Sequence, residues 1–136
     1  MRNARLPLML FAAGRGTRMG ALTQDRPKPL VEVAGVPLID HALGMAEAAG
    51  AAPIVVNTHY LAPMIEAHLG ERVRYSPEPT LLETGGGLRA ALPLLGKGPL
   101  YTLNSDAVWT GPNPLATLAA AWEPERMDGL LLLVPC

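Results

Sequence analysis

Short apolar runs alternate along the chain with stretches whose apolar positions recur every three or four residues. Leu6–Ala13 is apolar almost throughout, which predicts a strand covered on both faces. Leu30–Val33 predicts a short extended piece closed by Ala34, Gly35, Val36 and Pro37. From Leu38 to Ala49 the spacing predicts a helix with Leu38, Ile39, Ala42, Leu43 and Ala46 on one face, ended by Gly50 as a cap. Ile54–Thr58 is a β-branched strand, and Leu61–Leu69 a short helix on which Leu61, Ile65, His68 and Leu69 cluster, stopped by Gly70. Arg72–Ser76 predicts another strand, broken by Pro77 and Pro79. Thr84–Leu95 reads as a helix that Pro93 is expected to end early or kink. Pro99–Asn104 is a strand, Asn113 and Pro114 form the cap and first position of a helix carrying Leu115, Leu118, Ala119 and Trp122, and Gly129–Val134 is a last, wholly apolar strand.

Strands alternating with helices predict an α/β three-layer fold around a mainly parallel sheet. The length fits one domain, residues 1–136. Ligands of such folds bind beyond the carboxyl ends of the strands. The loops 14–18, 57–60, 76–86 and 104–106 all follow strands and are expected to converge on one rim. No internal repeat, linker or low-complexity segment interrupts the pattern.

Composition narrows the function classes. With 49% apolar and 17% charged residues the chain is globular, and its glycines and prolines punctuate apolar runs instead of marking disorder. A net charge of −1 without a long basic run argues against a nucleic-acid binder, and three Tyr, two Trp and one Phe are too few for a base-stacking platform. The single cysteine, Cys136, excludes a disulfide framework or a Cys-based metal site within one chain and points to a reducing, cytoplasmic setting. Arg2 and Arg5 ahead of the first apolar run superficially resemble a leader, but that run is short and flows straight into a glycine loop, so a buried strand is expected. No run reaches the ~20 apolar residues of a membrane span.

Candidate chemistry begins after that first strand, at Gly14-Arg15-Gly16-Thr17-Arg18. Four of the eleven Lys and Arg residues fall between Arg15 and Lys28, with only Asp25 against them. Flexible backbone followed by clustered cations suits a polyphosphate, but an ordinary strand-to-helix turn has the same composition. Gly14, Gly16 and Gly20 are one residue too widely spaced for a dinucleotide fingerprint, and no Gly-Lys-Ser/Thr completes a P-loop. Further on, Glu83-Thr84-Gly85-Gly86-Gly87 is either a flexible helix start or a close approach to a flat ligand. Asp106, in Asn104-Ser105-Asp106, is by itself a turn or cap residue. His41 and His68 fall on helices as structural or surface groups, His59 faces the candidate rim, and no pair has zinc-ligand spacing.

Read together, Ala12-Ala13-Gly14-x-Gly16-Thr17-Arg18-Met19 and Pro27-Lys28-Pro29-Leu30 resemble the signature of the sugar-1-phosphate nucleotidyltransferases. The run from Tyr75 to Gly87 looks most like the N-acetylmuramate-1-phosphate uridylyltransferases and the mannose-1-phosphate guanylyltransferase-like proteins. The resemblance extends from Leu8 to about Val134 and implies a Rossmann-like nucleotide-diphospho-sugar transferase fold. It further implies that Ala13, Gly14, Gly16 and Thr17 wrap the triphosphate, that Arg18 and Lys28 neutralise charge at the reacting phosphates, and that Glu83, Thr84 and Gly85 line the nucleobase pocket. Asn104 would contact the nucleotide and Asp106 would bind Mg²⁺. Ser105, where the family usually has glycine, and Ala107, inserted before Val108-Trp109, depart from the pattern and blur the loop beside the metal position.

The implied partners are a nucleoside triphosphate and a sugar 1-phosphate, with neither nucleic acid nor membrane, and homo-oligomerisation is left open. UTP with an amino-sugar phosphate is the first expectation, GTP with mannose 1-phosphate the second. Family members are appreciably longer, and the part lacking here normally supplies most of the sugar pocket and a second metal-binding aspartate. The chain is thus expected to be the nucleotide-binding half, incomplete at its C-terminal end, binding nucleotide yet turning over poorly. The competing reading is a non-catalytic nucleotide-sensing module or subunit. The presence of Arg18, Lys28 and Asp106 disfavours it, and the loop spacing disfavours a Rossmann dehydrogenase.

Overall fold

A computed structural model describes residues 5–135, so Arg2 and Cys136 lie outside the described residues. Four parallel strands make the central sheet: β1 (Leu8–Phe11), β4 (Ile54–Thr58), β5 (Arg74–Pro77) and β6 (Tyr101–Asn104), in the order β5-β4-β1-β6. Leu8 is in register with Ile54 on one side and Tyr101 on the other. A two-stranded antiparallel hairpin, β2 (Glu32–Val33) and β3 (Val36–Pro37), lies apart from the sheet. Ala34 and Gly35 at its tip both have positive φ, 55° and 76°, as a tight primed turn requires. The helices are α1 (Leu38–Ala48), α2 (Ala62–Leu69), α3 (Glu83–Leu95) and α4 (Pro114–Ala121).

The alternation of side chains along β1 explains the layers. Leu8 and Leu10 point to one face, where they join Ile39, Ala42 and Leu43 of α1, Ile65 and Leu69 of α2 and Leu115 of α4. Met9 points to the other face, against Val55 and against Ala91 and Leu95 of α3. Leu8, Met9 and Leu10 are all fully buried, so the strand is apolar at every position because both faces are covered. All four strands run the same way, and their carboxyl ends therefore open on one edge.

Two expectations are corrected. Gly129–Val134 belongs to no strand ladder among the described residues, and Leu131 is 80% exposed. A continuous apolar run signals burial, but a strand also needs a neighbouring backbone to pair with, and none is provided here. The helix expected to stop or kink at Pro93 continues to Leu95 and ends at Gly96, whose φ is 90° and whose N–H reaches the Leu92 carbonyl. Pro93 falls in the last turn, where the carbonyl it leaves unpaired belongs to exposed Arg89, so its cost is small. Gly50 follows α1 with φ 75° and donates to the Glu47 carbonyl, as its capping role requires. No helix of the described residues is long and apolar enough to cross a membrane.

Candidate functional site

The loop after β1 starts buried, at Ala12 and Ala13, and emerges at Gly14. Gly16 adopts the left-handed conformation (φ 63°, ψ 33°) and starts a 3₁₀ segment, Thr17–Thr23, kinked at Gly20 (φ 57°, ψ −123°). Thr23 closes that turn on itself: its hydroxyl donates to the carbonyls of Gly16 at 3.0 Å and Gly20 at 3.2 Å. Tyr60, beyond β4, donates its hydroxyl to the Thr23 carbonyl at 2.8 Å. The next segment, Lys28–Leu30, packs directly on the loop, since a Cβ on Gly16 would lie 2.9 Å from the Lys28 Cβ.

Lys28 Nζ then reaches Asp106 Oδ2 at 2.9 Å, with the two side chains 33% and 45% exposed. The Asp106 loop is tied to β1 by Ser105, whose hydroxyl donates to the Phe11 carbonyl at 2.6 Å. Ser105 in place of glycine thus adds a bond that fixes the end of β6 against the end of β1. A hollow of about 160 Å³ opens between these parts, lined by Gly14, Gly16, Lys28, Asn104 and Asp106.

A second hollow, about 210 Å³, shares Phe11 and Gly14 with the first and is lined also by Ala13, Asn57, Leu81, Glu83 and Thr84. Glu83 has φ 63°, an unusual conformation for a residue with a side chain. Behind this wall runs a buried polar chain. The Ala12 N–H donates to Asn57 Oδ1 at 2.7 Å, Asn57 Nδ2 donates to Glu78 Oε2 at 3.0 Å, and the Leu82 N–H donates to Glu78 Oε1 at 3.1 Å. A Cβ on Gly87 would stand 2.7 Å from Glu78 Oε2 and 3.0 Å from Asn57 Nδ2, so only glycine there leaves room for the pair.

The structure therefore brings Ala13, Gly14, Gly16, Lys28, Glu83, Thr84, Asn104 and Asp106 to two adjoining hollows. Thr17, Arg18 and Gly85 are exposed and line neither. His59 lines neither as well; its Nδ1–H donates to the Glu78 carbonyl at 2.6 Å. His41 holds the β2–β3 hairpin through the Val33 carbonyl at 2.9 Å, and His68 pairs with Asp40 at 2.6 Å. Asn57 and Glu78 are the participants that sequence reasoning missed. The available signal was a polar residue ending an otherwise β-branched strand and a carboxylate between prolines after the next.

Among the described residues no group of three or more His, Cys, Asp or Glu side chains could hold a metal ion. Asp106 stands alone, exposed, with one carboxylate oxygen on Lys28. A single carboxylate beside an anion hollow fits Mg²⁺, which retains waters and takes further ligands from phosphates.

The fold and these hollows define an α/β domain whose candidate site lies at the carboxyl edge of a parallel sheet. The sequence profile of the MobA-like NTP transferase domain matches residues 8–133, and the chain belongs to that family. It is 49% identical over 136 residues to the N-acetylmuramate alpha-1-phosphate uridylyltransferase of Caulobacter vibrioides, covering 92% of this chain and 56% of that protein. It is 31% identical over 140 residues to the mannose-1-phosphate guanylyltransferase of Mycobacterium tuberculosis, covering 98% and 38%. A nucleotidyl transferase from Methanothermobacter has the same fold, with a TM-score of 0.72 over 88% of this chain and 58% of that one, at 24% identity. The chain spans about half the length of the uridylyltransferase relatives it matches.

Proposed function

We propose that this chain forms the nucleotide-binding part of a cytoplasmic sugar-1-phosphate nucleotidyltransferase. The observation that carries the reading is the meeting of Lys28 and Asp106, 2.9 Å apart, at a hollow that Gly14 and Gly16 also line. The loop offers backbone that can approach phosphates closely, and the pair beside it a cation and a carboxylate suited to a metal. A nucleotide-sensing module would have no need of that pair.

In the proposed reaction an oxygen of the sugar phosphate attacks the α-phosphorus of the triphosphate. A bond forms between that oxygen and phosphorus as the bond to the β-phosphate oxygen breaks, and pyrophosphate leaves. Lys28 supplies positive charge to the reacting phosphates, held in place by the rigid Pro27 and Pro29 on either side. Arg18, exposed and without an ion-pair partner among the described residues, is assigned to the departing pyrophosphate. Asp106 would hold Mg²⁺, which supplies charge neutralisation on the α-phosphate when bound. Glu83 and Thr84 are assigned to the nucleobase in the second hollow, and Asn104 to the nucleotide in the first. UTP with an amino-sugar 1-phosphate is the preferred pair, supported by the 49% identity to an N-acetylmuramate alpha-1-phosphate uridylyltransferase.

Calorimetric titration with UTP, GTP, CTP and ATP in Mg²⁺, followed by a pyrophosphate-release screen against several sugar 1-phosphates, tests the reading. UTP is expected to bind tightest. Lys28→Ala is expected to lower pyrophosphate release by about a hundredfold or more with an unchanged melting temperature. Equal turnover by that variant would remove Lys28 from the mechanism, and absence of any triphosphate binding would sink the assignment.

A further inference from the structure

We infer that Asn57 and Glu78 are positioning residues that hold the two walls of the nucleotide cleft in register. The inference rests on the assignment of those hollows to a nucleotide. Asn57 is 3% and Glu78 2% exposed; Asn57 lines the second hollow, and the polar groups of both are engaged in the chain of hydrogen bonds. At one end of the pair is the Ala12 N–H, immediately before the Gly14–Gly16 loop. At the other is the Leu82 N–H, immediately before Glu83 and Thr84. The walls are far apart in sequence, and this pair ties the backbone of one to that of the other through side chains alone.

The donors and acceptors admit one arrangement. Two backbone N–H groups point inward from the ends, so both terminal partners must be acceptors. The Asn57 amide accepts from Ala12 with its oxygen and donates onward with its nitrogen, and the Glu78 carboxylate then accepts from both sides. An amide at position 78 would set one donor against another, and a carboxylate at position 57 would set two acceptors face to face. Each single exchange breaks the chain, whereas both together rebuild it with reversed polarity. The left-handed Glu83, next to the tethered Leu82, is the residue this tether holds in an otherwise unfavourable conformation. Glu78 is further fixed by its own backbone, whose N–H donates to the Thr58 carbonyl at 2.8 Å and whose carbonyl accepts from His59.

The test compares Asn57→Asp, Glu78→Gln and the double variant in the full chain. Amide hydrogen exchange is read at Ala12 and Leu82, UTP affinity by calorimetry in Mg²⁺, and melting temperature alongside. Each single variant is expected to raise exchange at Leu82 and weaken UTP binding by about tenfold or more. The double variant is expected to return both to within about threefold of the parent. Exchange at Leu82 unchanged by Asn57→Asp, or a double variant no better than its worse single parent, would overturn the inference. So would lowered melting temperatures with unchanged UTP affinity, which is the signature of a purely structural pair. If the parent chain binds no triphosphate, the nucleotide assignment fails, and amide exchange, which needs no ligand, still decides whether the walls are coupled.

Discussion

Gly16 controls how closely the cation of the site approaches the loop. Its φ of 63° lies in the region where a Cβ is strained, and the Cβ position is already within 2.9 Å of the Lys28 Cβ and 3.1 Å of the Thr23 Cγ2. The first of these atoms belongs to the root of a side chain, so relief requires the Lys28 segment itself to move. Gly16→Ala is expected to cost about 1–3 kcal/mol of stability and to pull Lys28 from Asp106, weakening nucleotide binding by about tenfold. Gly14 is the internal control, with open space around its Cβ position and no positive φ. Gly14→Ala should leave stability within about 0.5 kcal/mol, so any loss of binding there reports a ligand close to the backbone. Urea denaturation and calorimetric titration of the two variants separate these effects; equal stability losses at both positions would refute the packing argument.

Among the elements, α4 was the most legible because its start signal is local. Asn113 Oδ1 accepts from the N–H groups of Leu115 at 3.0 Å and Ala116 at 3.3 Å, with Pro114 in the first turn. The structure adds that Asn113 Nδ2 donates to the Met45 carbonyl of α1 at 2.8 Å, so one side chain caps a helix and joins it to another. Asn113→Ala is expected to lose about 1–2 kcal/mol, and Asn113→Asp, which keeps the cap acceptor but not the donor, less than that. Equal losses in urea denaturation would mean that the cap contributes nothing. What failed to be legible was non-local. Gly129–Val134 carries strand composition without a pairing neighbour, and the cost of Pro93 depends on its turn being the last and exposed, which the local sequence does not encode. Lys28 and Asp106 stand out through family resemblance, but only the fold brings them into contact at the hollow. Asn57 and Glu78, 21 residues apart, carry no spacing signal, because their relation is set by parallel pairing of β4 with β5.

At the scale of the whole molecule, the sheet couples folding to alkaline titration through its edge strands. β1 and β4, at the centre, are apolar apart from Asn57 and Thr58 at the carboxyl end of β4. The edge strands β5 and β6 each carry a tyrosine, Tyr75 and Tyr101, and burial pushes both phenols above their ordinary value; the Glu66 carboxylate adds to the rise at Tyr75. Below about pH 10 both phenols are protonated folded and unfolded, so they add no pH dependence. Above it the unfolded chain releases these protons while the folded chain retains them, and with fewer protons bound to the unfolded state stability falls as pH rises. Arg72 is raised as well, first by its hydrogen bond to Glu47, and titrates beyond this window. The melting temperature is therefore expected to begin a decline near pH 10 that Tyr101→Phe makes shallower, since the ring is kept and only the titrating proton is removed. Thermal melts of parent and variant across pH 8–11 check this, and parallel curves would show that the buried phenol on β6 does not couple folding to alkaline pH.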